Sequence, residues 1–272
     1  MNIENRIKKI IWECFEANSE YSLDLDGYVS KPEYNLNSGI KMEDFQEDFE
    51  RSSGNELYKK FRAAHSSCAL AVNTFARWKS DPSSLNISGD TRFNTLTFEG
   101  KCSTGLGGTP PNLDLLLTND ENIIGIESKF TEYLKPKKPH FSGSYQRANL
   151  PQTEDQWWSL LEKVRDGNPQ YLDTAQLIKH YLGLRCLNNN EGFANHKITL
   201  FYLFWEPVNW GDFDVFKNHR EEIENFANQV KGSAVKFVAK SYPELWIEWD
   251  NQKDISDHSA NLRSRYSLSI YG

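Results

Sequence analysis

The sequence has few cysteines, and their spacing is not that of a metal or disulfide framework. Four occur in 272 residues, at Cys14, Cys68, Cys102 and Cys186, and no two form a CxxC pair. Zinc fingers and small disulfide-stapled domains need closely spaced cysteines. We therefore expect neither kind of site, and scattered free thiols favour a reducing cytoplasm.

Positive charge and long apolar runs are also scarce. The chain has 31 basic and 38 acidic residues, for a net charge of −7. This balance argues against general electrostatic attraction to nucleic acid or anionic membranes, but it leaves room for a local basic cleft. No apolar run approaches the ~20 residues that a membrane span needs, and the N-terminus lacks a signal-peptide core. We expect a cytoplasmic protein without a membrane partner.

Several common catalytic motifs are missing. The six histidines show no HExxH or HxxxH spacing, and there is no P-loop, GxSxG or GxGxxG sequence. The GLGG run at 105–108 precedes a predicted strand rather than a helix, so it does not resemble a dinucleotide-binding loop.

Hydrophobic residues make up 38% of the chain and aromatic residues 13%, enough for one large core. We predict a single domain over 1–272. Its parts are an N-terminal helix and connection (1–53), an α/β core (54–206) and a C-terminal helical and strand extension (207–272).

The apolar periodicity predicts the elements within these parts. The N-terminal segment carries a peripheral helix at 2–17 and a partly ordered connection at 18–53. Residues 54–78 have apolar positions in steps of three and four, which predicts one long helix. Three strands, two amphipathic helices and a strongly apolar strand follow. After Gly211 we expect a polar-faced helix, a strand and a short helix.

Ionisable residues interrupt the stretch PNLDLLLTNDENIIGIESKF, where a sheet would normally bury aliphatic ones. Asp114 stands at the mouth of one apolar run, and Glu127 and Lys129 end the next. Residues i and i+2 of a strand share a face, so Glu127 and Lys129 point together and Ser128 points away. A hairpin through the TNDEN turn would place Asp114 beside Glu127, with room left by Gly125.

Two carboxylates at that separation repel each other unless a cation lies between them. Oxygen ligands with open positions for water and phosphate are typical of a Mg²⁺ site, and Mn²⁺ could substitute. Lys129 could position or deprotonate an attacking water, which indicates phosphodiester hydrolysis. A structural salt-bridge cluster is the alternative, and it is favoured if so short a pattern is taken alone.

The arrangement of these residues resembles the PD-(D/E)XK nuclease superfamily over residues 54–206. Pro111-Asn112-Leu113-Asp114 stands where those enzymes have PD, and Glu127-Ser128-Lys129 matches ExK. The phrases SSCALAVN, GGTPPNLDLLL and IGIESKFTEYL are similar to a group of bacterial restriction endonucleases. The resemblance implies an α/β fold with an αβββαβ core, whose mixed central sheet is flanked by helices. It also implies Mg²⁺-dependent cleavage of double-stranded DNA, with a homodimer as one way to cut both strands.

Four further positions are weaker candidates for a site built around Asp114, Glu127 and Lys129. Glu56 matches a position from which many such nucleases send a carboxylate to the metal, although an acid that simply favours a helix N-terminus explains it equally well. Glu99 could approach from the first strand, but a solvated strand residue is the favoured interpretation. Gln176 resembles a glutamine of some family members, and we discount it because the tyrosine that follows, Tyr181, is one residue out of step. We interpret His65, Ser66 and Ser67 as polar core residues whose hydrogen bonds are satisfied, rather than as part of the wall of a site.

Basic residues follow the ESK strand at Lys135, Lys137 and Lys138. They could contact DNA phosphates, although a solvated loop is the more common meaning of such a run.

Two other functions stay open. One is a structure-selective or repair nuclease of the same fold, and the other is a non-catalytic scaffold that binds DNA or a partner. An intact ExK weighs against the scaffold.

Overall fold

A five-stranded mixed sheet forms the centre of the computed structural model, which describes residues 2–52, 57–189, 192–250, 252 and 254–271. The strands are β1 (Thr95–Lys101), β2 (Asn112–Thr118), β3 (Asn122–Lys129), β4 (Lys197–Phe204) and β5 (Val235–Ser241). They lie side by side in chain order, with β1, β2 and β3 antiparallel and β4 and β5 parallel to β3. The predicted mixed sheet is confirmed.

Helices cover both faces of this sheet. In the described part of the chain they are α1 (Ile3–Ala17), α2 (Gln46–Arg51), α3 (Ser67–Phe75), α4 (Asp155–Arg165), α5 (Thr174–Asn188), α6 (Asp214–Gln229), α7 (Tyr242–Asp250) and α8 (Ser256–Tyr266). The order α3-β1-β2-β3-α5-β4 is the expected αβββαβ core, with α4 inserted before α5. None of the described helices is long and apolar enough to cross a bilayer.

The long helix predicted for 54–78 is wrong. A short 3₁₀ turn at Lys60–Arg62 is followed by a break, and α3 starts only at Ser67. The break has a tertiary cause, because the buried amide of Asn35 donates hydrogen bonds to the carbonyls of Phe61 (2.6 Å) and Ala63 (2.9 Å). The Ser66 hydroxyl then caps α3 by accepting from the Ala69 N–H at 3.2 Å.

Helices α3 and α5 pack against opposite faces of β3. On one face the Ser128 hydroxyl contacts the carbonyl of Ser67 and the hydroxyl of Tyr242. On the other face Glu127 points toward α5. Gly125 leaves room for both Leu113 of β2 and α5, because a Cβ atom there would lie 2.7 Å from Leu113 Cδ1 and 3.1 Å from Leu184 Cδ1.

Both terminal segments contribute more to the sheet and the hydrophobic core than the sequence indicated. β5 extends the central sheet beside β4, so the segment predicted as a C-terminal extension completes it. α8, which no periodic pattern in the sequence predicted, packs against α7 and α1. Buried apolar side chains from Ile7 to Ile270 belong to one hydrophobic cluster.

Candidate active site

The ends of β2 and β3 bring the predicted acids together. The pairing of Leu115 with Ile126, continued by one residue, places Asp114 opposite Glu127. The Asp114 Oδ2 atom accepts a hydrogen bond of 2.7 Å from the Ser128 N–H. Asp114 lies inside β2 rather than ahead of its strand as we expected, since β2 begins at Asn112.

Lys129 lies on the same side of β3 as Glu127. Its Nζ atom donates to Glu127 Oε1 and to Gln176 Oε1, the latter at 2.9 Å. Glu127 is 2% exposed and Lys129 8% exposed, so the pair is almost completely removed from water. Charged groups at such depth need partners, because an unpaired buried charge costs several kcal/mol.

Helix α5 supplies two of these partners. Asp173 caps α5 by accepting from the Gln176 N–H at 3.0 Å, which starts the helix where Gln176 can reach Lys129. One turn later, His180 Nε2 lies 2.7 Å from Glu127 Oε2. This contact is short but poorly aligned, so Oε2 remains a buried carboxylate oxygen without a well-directed donor.

Both contacts were missed from the sequence. Gln176 was discounted on the position of Tyr181, yet the i, i+4 partner that faces the site is His180. The spacing Gln176 to His180 on a predicted helix beside ExK was the available signal, because residues four apart share a helix face.

The charges at this centre shift one another's protonation equilibria. Burial, helped by the charge of Glu127, raises the pKa of Asp114 well above its ordinary value. Burial would also raise the pKa of Glu127, but Lys129 and His180 outweigh it and lower that pKa to about 2. Burial would lower the pKa of Lys129, but Glu127 and Asp114 raise it above its usual range. Lys129 therefore stays an ammonium ion at neutral pH.

Asp114, Glu127, Lys129 and Gln176 line a cavity of about 830 Å³. Lys135 and Lys137 lie on its wall, whereas the exposed Lys138 is not part of it. Lys137 is held in place by a backbone pairing with Gln170, with N–O distances of 2.8 and 2.9 Å. Two of the three predicted basic residues thus border the site.

Polar residues of the N-terminal half form another part of the cavity wall. His65, Ser66 and Ser67 all line the cavity, which contradicts their assignment to the core. Burial lowers the pKa of His65 to about 4, and the neutral ring accepts a hydrogen bond from Trp12 Nε1 at 3.1 Å. Glu4 and Lys8 bring α1 to the same cavity, so this helix is not peripheral.

Glu99 is buried at the edge of the cavity, and the favoured interpretation as a solvated strand residue is wrong. Its backbone has φ +51°, a left-handed conformation that is costly for a non-glycine residue. This conformation interrupts the alternation of β1 and buries Glu99 together with its neighbour Phe98. The carboxylate accepts from Asn112 Nδ2 at 3.2 Å and adds negative charge beside Asp114. Glu56, the other secondary acid, lies outside the described residues.

The donor set suits a hard divalent cation. Among the described residues, no group of three or more His, Cys, Asp or Glu side chains is gathered closely enough to hold a metal ion by itself. Mg²⁺ does not require such a cage, because it usually binds one or two carboxylates and completes its shell with water and phosphate. Asp114 and Glu127 provide two carboxylates on the wall of this cavity.

Comparison with known proteins gives one family. A family model described as "Restriction Endonuclease associating with ARP" matches residues 16–267. No curated protein and no solved structure gave a significant match. The matched range covers almost the whole chain, including all five strands and the candidate site.

Proposed function

This chain belongs to the restriction-endonuclease family described as associating with ARP, and on that premise we propose that it is a metal-dependent endonuclease that hydrolyses phosphodiester bonds in double-stranded DNA. The observation that carries the proposal is the convergence of Asp114, Glu127 and Lys129 at the ends of β2 and β3, within one cavity.

Asp114 and Glu127 would hold Mg²⁺, or Mn²⁺ in its place. A bound divalent ion supplies Lewis-acid polarisation of a phosphoryl oxygen and lowers the pKa of water. The raised pKa of Asp114 supports this assignment, because a cation beside it would relieve the repulsion from Glu127. Glu99 would add to the negative potential that attracts the cation.

Lys129 would act as a positive charge rather than as a base. Since its pKa is raised, it keeps its proton at neutral pH and can donate to a phosphate oxygen or an attacking water. Such a preorganised donor is most valuable where negative charge develops in the transition state. This favours the positioning role over the deprotonating role.

Gln176 and His180 would keep the catalytic groups in place. Gln176 fixes the Lys129 ammonium from α5, and His180 limits the rotation of the Glu127 carboxylate. Neither residue needs to touch the substrate for this role. Catalytic rates depend on placement at the ångström scale, so such supports are part of the machinery.

DNA would enter along the wall that carries Lys135 and Lys137. Their ammonium groups can neutralise backbone phosphates locally, although the whole chain is acidic. Cutting both strands requires two hydrolytic events, for which a homodimer is the simplest arrangement. The enzyme would work in the cytoplasm, where its scattered thiols stay reduced.

The first test is the cleavage of supercoiled plasmid by purified protein. We expect nicked and linear products with Mg²⁺ or Mn²⁺ and none with excess EDTA. A protein that binds duplex DNA but never cuts it, with any divalent metal, would instead support the scaffold alternative. Preferential cutting of branched or flapped oligonucleotides over plain duplex would support a structure-selective nuclease.

A further inference from the structure

A buried arginine without a carboxylate partner lies away from the candidate active site. Arg265, near the end of α8, is 8% exposed. Within the described part of the chain, no Asp or Glu pairs with it, and the ionisable groups that act on its pKa are Tyr266 and Cys14. Burying an uncompensated charge is costly, so this position needs an explanation.

Neutral groups hold the guanidinium in place. Nη1 donates to the Asn35 carbonyl at 3.0 Å and to Asn37 Oδ1 at 2.9 Å, and Nη2 donates to Asn35 Oδ1. The rings of Phe15 and Tyr266 each have their centroid 4.9 Å from the guanidinium carbon. These contacts orient the cation and disperse its charge, but none carries a compensating negative charge.

Arg265 borders a small polar cavity of about 150 Å³ between the end of α1, the loop at 34–38 and α8. The Nδ2 atom of Asn37, which also lines this cavity, is buried without a hydrogen-bond partner. No acidic side chain contributes to the described lining. Asn261 and Ser264 of α8 also border the cavity.

From this arrangement we infer that the cavity binds a small oxyanion of the phosphate or sulfate type, with Arg265 and Asn37 as its donors. A volume of 150 Å³ has room for about five waters at about 30 Å³ each, so it admits a tetrahedral oxyanion but not a whole nucleotide. Guanidinium and amide donors are well suited to such oxygens. The inference does not depend on the nuclease proposal.

The test is thermal unfolding of the full chain in sodium phosphate, compared with sodium chloride at equal ionic strength. We expect a rise in Tm that saturates with phosphate, of roughly 3 °C or more at a tenfold excess over Kd. Equal melting in the two salts would overturn the inference.

Two variants locate the effect and leave Asn35 and Asn37, the residues that hydrogen-bond Arg265, unchanged. In Asn261→Glu a carboxylate is introduced on the cavity wall, four residues before Arg265, which is a favourable spacing for an ion pair on a helix. The carboxylate should take the place of the anion, so phosphate should no longer raise the Tm of this variant. Ala260→Glu adds the same charge to the same helix outside the cavity lining, and it should keep the response. If both variants respond like the wild type, the anion binds elsewhere and the inference fails.

A further arm identifies the source of the anion. Binding of a duplex oligonucleotide is measured in EDTA with and without saturating phosphate, at equal ionic strength. If phosphate weakens DNA binding in the wild type but not in Asn261→Glu, the site takes a backbone phosphate. If DNA binding is unaffected while the Tm response persists, the site takes the free oxyanion.

Discussion

At the scale of single residues, Lys129 is the side chain that best separates an enzyme from a scaffold. Lys129→Ala should lower DNA cleavage by a factor on the order of 10² or more, because it removes a positioned charge from the transition state. Metal binding should survive, since Lys129 is not a ligand and its loss removes a cation that opposes the metal. Single-turnover cleavage rates and the Mg²⁺ dependence of Tm provide the two readouts.

Lys138→Ala is the matched control, because Lys138 belongs to the same sequence region as the cavity wall but is absent from that wall. It should cut DNA close to the wild-type rate. A Lys129→Ala protein that remains folded and cuts as fast as the wild type would refute the role given to Lys129.

Asp114 should destabilise the protein when no metal is bound. Its folded-state pKa is raised, so the folded state prefers the protonated form, and stability is lost as the pH rises from about 4 toward that raised pKa. Asp114→Asn removes this titration and should raise the metal-free Tm at neutral pH. Melting in EDTA at pH 5 and pH 8 checks the sign, since the advantage of the variant should be larger at pH 8.

At the scale of elements, the docking of α6 on the sheet depends on a neutral histidine. His219 of α6 is 1% exposed, stacks on Tyr133 with ring centroids 3.8 Å apart, and lies 2.9 Å from the Tyr202 hydroxyl of β4. Burial lowers its pKa to about 3.

Below about pH 6.5, His219 is therefore protonated in the unfolded chain but stays neutral in the folded chain. Stability should fall as the pH drops from about 6.5 toward 3, with a slope from this residue of up to about 1.4 kcal/mol per pH unit. Urea unfolding between pH 4 and pH 8 measures the slope. His219→Gln should flatten it, whereas replacement of the exposed His140 by Gln should not; equal slopes in both variants would argue against the assignment.

The wall after β3 gives a prediction about DNA binding. Replacing Lys135 and Lys137 together by Ala should weaken duplex binding and reduce the salt slope of log K by roughly one for each DNA phosphate that is no longer neutralised. Lys138→Ala should leave the slope unchanged. Fluorescence anisotropy across a salt series, in EDTA to prevent cleavage, tests this. An unchanged slope in the double variant would mean that Lys135 and Lys137 are ordinary solvent-exposed residues that do not contact DNA.

At the scale of the whole molecule, the sequence predicted the sheet and the grouping of Asp114, Glu127 and Lys129 better than it predicted the other residues that line the cavity. The short apolar runs of β2 and β3 and the turn between them are local features, so they placed Asp114, Glu127 and Lys129 together. α3 is shorter than predicted because Asn35 donates hydrogen bonds to the carbonyls of Phe61 and Ala63, which lie 26 and 28 residues later in the chain. No local pattern reports such a competition.

Apart from Lys135 and Lys137, the residues around these three were missed or discounted for the same reason. Glu99 is directed into the cavity by a left-handed backbone that strand periodicity does not anticipate. His65 is at the site because α1 packs beside it through Trp12. Gln176 and His180 needed the packing of α5 on β3, which Gly125 permits. These contacts are long-range, and they determine which polar residues become part of the site.

The central claim is that Asp114 and Glu127 bind the metal with which this protein cuts DNA. Its most direct measurement is the rate of plasmid cleavage as a function of Mg²⁺ concentration, for the wild type and for Asp114→Asn shown by circular dichroism to be folded. We predict a saturable Mg²⁺-dependent rate for the wild type and no detectable cleavage by the variant at any Mg²⁺ concentration. A folded Asp114→Asn protein that cuts at the wild-type rate, or wild-type cleavage that persists in EDTA, would contradict the account.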